Sequence, residues 1–137
     1  MAKVLSIAPG PDEDWYKAVC RGQADSVVLK GTDRKLFHYA FKSLAAGSYG
    51  IAYNGFLELS EKNSSMSQYF LGEMCFRGLG VLQDFSLAHM WFNIAASQGH
   101  KKARAYLDRL TKKMSAGQIA EAQKLAREWV AQDYKVS

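Results

Sequence analysis

The stretch that decides the fold is Ser67–Leu107, SQYFLGEMCFRGLGVLQDFSLAHMWFNIAASQGHKKARAYL. Leu71, Gly72, Cys75 and Gly78 recur at steps of one helical turn and form one stripe of a helix. Gly78-Leu79-Gly80-Val81 then interrupts the period with paired glycines and marks a turn. Asp84 is placed to cap the next helix, on which Ala88, Trp91, Ala95 and Ala96 make the apolar stripe. Gly99 stops that helix, and another begins behind it. Bulky residues appear about once per turn with small ones between them, the pattern of two helices that pack closely.

Taken together, Leu71-Gly72, Gly78-x-Gly80-Val81, Asp84, Ala88-x-x-Trp91, Ala95-Ala96, Gly99 and Ala103 resemble one complete Sel1-like repeat, at about 67–103. Such repeats are relatives of the tetratricopeptide (TPR) repeat. The sequence departs from the family pattern at Ser67, where Ala is usual, and at Cys75, where Tyr is usual. Both residues are compatible with a packed helix. The resemblance implies an all-α, short TPR/Sel1-like antiparallel helix-pair solenoid that contacts other proteins, and it implies no reaction.

Working outward, the rest of the chain reads as a single helical domain. An N-terminal arm and helix occupy 1–31, a degenerate helical pair 32–65, the repeat 66–110 and a capping helix 111–137. Pro9-Gly10-Pro11 is an extended turn, and Pro11 opens a helix of about 12–21 whose first turn holds Asp12, Glu13 and Asp14. These acids are read as a helix start, because no second ligand cluster accompanies them. Val27-Val28-Leu29 has the composition of a short strand or a buried linker, but nothing pairs with it, so it is read as ordered coil or a short helix. Thr32 is the expected cap of a helix over 33–46, with Leu36, Tyr39, Ala40, Ser43 and Leu44 inward and Gly47 at its end. A second helix, 48–61, buries Ala52, Phe56 and Leu59. Leu44-Ala45-Ala46 and the following Ser48-Tyr49-Gly50 weakly echo Ile94-Ala95-Ala96 and its sequel, as a decayed preceding repeat would. Near the other end, Ser115 and Gln118 form a capping box, flanked by a Met114–Ile119 staple, and start a final helix of about 116–132. A one-striped terminal helix is what a solenoid needs to close its open end.

At 137 residues the chain is large enough for one core. A net charge of +5 is a moderate excess and does not make a polycation. Two cysteines, Cys20 and Cys75, stand at no metal-ligand spacing, and Cys75 falls on the core stripe as a buried free thiol. With no apolar run long enough for a signal peptide or a membrane span, a cytoplasmic protein is expected.

Catalytic patterns are lacking. Gly78-Leu79-Gly80 follows no strand and precedes no Lys-Ser/Thr, so it is not read as a phosphate loop. His38, His89 and His100 are scattered, with no paired ligand spacing. Cys20 lies near Lys17 and Arg21, but a packed thiol is the simpler reading. Neither an enzyme nor a cofactor is expected. The expected role is that of an adaptor, scaffold or occluding inhibitor of another protein. Its contact face would combine Tyr69, Glu73, Phe76 and Arg77, projecting from the repeat's first helix away from the core, with His89 and Asn93 bordering the groove. The alternative is nucleic-acid or acidic-partner binding through Lys101, Lys102, Arg104, Arg109, Lys112 and Lys113. That run is read as splitting between helix faces and as lacking the interleaved aromatics that base stacking needs. Homodimerisation through an uncovered solenoid edge is a further expectation.

Overall fold

The computed structural model describes Leu29 and residues 31–136, with side chains through 132. The expected helix at 12–21, Cys20 and Val27-Val28 lie outside the described residues. Among the described residues six helices follow one another: α1 (Gly31–Ala46), α2 (Tyr49–Glu61), α3 (Ser65–Arg77), α4 (Phe85–Ser97), α5 (Lys101–Thr111) and α6 (Ala116–Val136). Each of the first five packs on its neighbour in sequence, and α6 returns to lie on α4. The arrangement is the all-helical, TPR-like one that the repeat implies, with no strand among the described residues.

Local chemistry explains most of the boundaries. Asp84 caps α4 by accepting the Leu87 amide at 3.0 Å. Ser115 and Gln118 bond reciprocally at the start of α6: the Gln118 amide donates to Ser115 Oγ at 3.1 Å, and Gln118 Oε1 accepts from the Ser115 amide at 2.9 Å. Four helix ends close in the same way, with an amide just past the helix reaching back five residues. The pairs are Ser48 to Ser43, Ser64 to Leu59, Leu79 to Met74 and His100 to Ala95. The left-handed residue is glycine in three of these closures, and at α2 it is Asn63, with φ of 69°. Asparagine is the side chain that tolerates that geometry best, so a closure invisible to a search for glycine still forms.

Small residues set the helix crossings. A methyl group added to Gly72 would stand 2.6 Å from the Phe92 ring, and one added to Gly55 would stand 2.9 Å from Ala40 Cβ. Backbones therefore approach more closely at these points than any larger residue permits. Gly80 rests directly on Tyr49, which seats the α3–α4 turn against α2.

The core is unusually aromatic. Phe70 of α3 stacks on Phe56 at 5.1 Å and meets Phe41 at 5.6 Å and Phe37 at 6.0 Å, joining α1, α2 and α3. Trp91 of α4 takes Trp129 of α6 edge-on at 4.8 Å. In α1 two expectations are corrected. The helix begins at Gly31, so Thr32 lies inside its first turn and does not cap it. Tyr39 is 56% exposed, and Phe37 and Phe41 are buried in its place. The phenyl rings bury without a hydroxyl to satisfy, whereas Tyr39 keeps its polar tip in water.

Candidate functional site

Helix α3 lies at the centre of the fold, and every residue from Ser64 to Cys75 is buried. Its polar residues survive there because each finds a partner. Ser64 Oγ accepts the Ser67 amide, and Gln68 bonds the Ser60 carbonyl and receives the Gln98 amide group at 2.6 Å. Glu73, 2% exposed, accepts from the Tyr69 hydroxyl at 3.0 Å and from Arg77 Nε at 2.9 Å, one bond to each carboxylate oxygen. Burial, and next the Glu73 charge, push the Tyr69 hydroxyl pKa far above its ordinary value. Burial works against the charge on Arg77, but the bond and charge of Glu73 together with Tyr106 outweigh it and raise that pKa. Tyr69 and Glu73 therefore do not project outward as expected. They face α5, whose His100 and Tyr106 cover the Tyr69 ring at 4.8 Å and 5.9 Å.

His100 is the N-cap of α5. Its Nδ1 accepts the Ala103 amide at 3.1 Å, which leaves the proton on Nε2, 3.3 Å from Met66 Sδ. Burial, and then nearby Lys102, lower its pKa to about 4, so the ring is neutral in this role. His89 does a related task at the other end of α5. It lies 3.2 Å from Thr111 Oγ1, whose own proton goes to the Leu107 carbonyl at 2.7 Å. That arrangement makes His89 Nε2 the donor and leaves Nδ1 without a partner. Burial lowers the His89 pKa as well. His89 is 4% exposed and ties α4 to α5, so it borders no open groove, and Asn93, four residues on, is half-buried.

Above this buried layer, α3 and α5 leave a small cleft of about 80 Å³ lined by Phe76, Tyr106, Arg109, Leu110 and Lys113. Phe76 is half-buried, stacks on Phe85 at 5.7 Å and meets Tyr106 edge-on at 6.1 Å. One face of Tyr106 lies against Phe92 at 5.2 Å, and the Arg109 guanidinium sits over the ring at 4.8 Å. Arg77 approaches the Tyr106 hydroxyl from α3. Members of both expected sets thus meet here, Phe76 and Arg77 from the first, Arg109 and Lys113 from the second. Lys101, Lys102, Arg104 and Lys112 are exposed and do not line the cleft. Tyr106 and Leu110 escaped the sequence reading, and Tyr106 is the aromatic that the charge run conceals. Its spacing of three from Arg109 was the available signal.

Cys75 is a buried free thiol as expected, its pKa pushed to about 11 by burial first and Asp84 second. Among the described residues no group of His, Cys, Asp and Glu is placed to hold a metal ion, and no helix is long and apolar enough to cross a membrane.

Comparison with known proteins adds one match: the Sel1 repeat family model covers residues 65–100. No curated protein and no solved structure matches the chain. The matched segment comprises α3, the glycine turn, α4 and the closure at His100. The chain therefore carries a Sel1 repeat, set in an all-helical, TPR-like fold.

Proposed function

We propose that this chain is a protein-interaction module, an adaptor or occluding inhibitor without catalysis, and that the seam between α3 and α5 is its contact surface. Sel1 repeats generally mediate protein–protein contact, which supports the class of function. The observation that carries the choice of surface is the cleft itself, an aromatic floor with a cationic rim on the repeat's first helix and the helix after it. Arginine and aromatic side chains in a partly enclosed pocket are the usual anchors of an interface. In this reading Phe76, Arg77, Arg109 and Lys113 touch the partner, while Tyr69, Glu73, His89 and His100 hold the two helices in register beneath them. A reducing, cytoplasmic setting suits the free thiol of Cys75.

The test is affinity capture from the native cells with the wild-type chain, with Phe76→Ala/Arg77→Ala, and with Arg104→Ala as a surface control. Proteins enriched on the wild type and on the control should fall by about tenfold or more on the double variant, with unchanged helical circular dichroism. Equal enrichment on all three would show that the seam is the wrong surface.

A further inference from the structure

The chemistry of the cleft specifies its occupant further, on the reading just given. We infer that the α3–α5 seam takes an acidic segment of the partner protein that inserts one branched aliphatic side chain between Phe76, Tyr106 and Leu110.

Size comes first. At about 80 Å³ the cleft has about half the ~150 Å³ of a cavity that accepts a benzene ring. It suits Leu or Ile and is too small to enclose Phe or Trp. Charge comes second. Arg109 and Lys113 line the rim, and neither forms a salt bridge among the described residues. The acids nearby do not neutralise them. Glu73 is buried with both oxygens engaged by Tyr69 and Arg77. Asp108, the neighbour of Arg109, is turned about 100° around the helix from it. The rim therefore presents uncompensated positive charge around an apolar floor, and an acidic chain with a single apolar residue complements both.

A nucleic acid satisfies the charge but not the floor. Base stacking needs an open aromatic face, and the faces of Tyr106 are taken by Phe92 and by the Arg109 guanidinium. Phe76 likewise spends a face on Phe85.

The experiment is fluorescence polarisation of the full chain with labelled short peptides: a Leu flanked by Asp and Glu, the same peptide with Leu→Ser, with Leu→Trp, and with every acid changed to its amide. A random single-stranded DNA oligomer is the further probe. The parent peptide should bind, and both the Leu→Ser and the amide peptides should lose about 30-fold. Leu→Trp should also weaken binding. Phe76→Ala and Arg109→Glu should each reduce parent binding by a similar factor, with far-ultraviolet circular dichroism retained. Raising the salt should weaken the parent and leave the residual binding of the amide peptide unchanged. Equal binding of the parent and amide peptides, or of the parent and Leu→Ser peptides, would overturn the inference. So would tighter binding of DNA that depends on Arg109 and Lys113. If no peptide binds while cellular capture still depends on Phe76 and Arg77, the partner chemistry is wrong and the interaction reading stands. If capture is also indifferent to those residues, both fall.

Discussion

Helices α3 and α5 touch each other, and both mix apolar, polar and charged residues, yet they meet solvent in opposite ways. Every position of α3 from Ser65 to Cys75 is buried, whereas α5 buries only Ala103, Leu107 and Leu110. Polar character alone does not distinguish them. Gln68 and Glu73 are as hydrophilic as anything on α5, but their bonds are completed by Ser60, Gln98, Tyr69 and Arg77. On α5 the charged side chains are exposed, and Arg109 lies over the Tyr106 ring. The difference teaches that a polar residue on a helix marks the surface only when nothing inside can satisfy it.

The contrast can be broken most sharply at Phe70. Its truncation in Phe70→Ala removes a ring that meets Phe37, Phe41, Phe56 and Tyr69, and should cost about 4 kcal/mol in urea unfolding. A loss below about 1 kcal/mol would mean that α3 is not the enclosed centre described above.

The boundary between the two helices is sharpened by acid. His100 is 1% exposed, and its pKa falls from 6.5 in the unfolded chain to about 4 when folded. Between those values the unfolded chain binds the extra proton, so stability is complete above about pH 6.5 and declines as pH drops toward 4. The full loss is about 3 kcal/mol, with His89 adding to it in the same direction. Protonation also places a proton on Nδ1, the atom that accepts the Ala103 amide. Urea midpoints measured at neutral pH and near pH 4.5 should show the decline, and His100→Asn should flatten it while keeping a capping acceptor. An unchanged slope in that variant would assign the acid sensitivity elsewhere.

The smallest effect belongs to the outer face of α5. Arg104→Ala should change stability by less than about 0.5 kcal/mol by the same measurement, because the residue is exposed.

These regions also separate what could be read in advance from what could not. Asp84, Ser115 and Gln118 announce helix starts through chemistry confined to four residues, and their bonds form as expected. The period correctly buries Ala88, Trp91, Ala95 and Ala96, although His89, Met90, Phe92 and Ile94 of α4 are buried as well, so one stripe understates that helix. On α3 that logic fails. A helix covered from both sides has no outer stripe, and a reading that assumes one assigns Tyr69 and Glu73 to solvent. Only the pairing of Tyr69 with Glu73, one turn apart, hinted that the two satisfy each other. The cleft was half legible. Phe76 and Arg77 stood out by type, but Tyr106 and Leu110 became its floor only once α5 folded back along α3, a fact set by the short closure at Gly99 and the His100 cap.

The enclosure of α3 has a consequence for how the chain is made. Its wrapping comes from α1 and α2 on one side and from α4 and α5 on the other, so a polypeptide emerging from the ribosome cannot complete the cover of Tyr69 until Tyr106 is out. Any truncation ending before Lys101 removes Tyr106 and so uncovers the Tyr69 and Phe76 rings that it meets. Nascent copies should therefore stay loose until α5 has emerged and then lock together in one step, making the repeat inseparable from the helix that follows it.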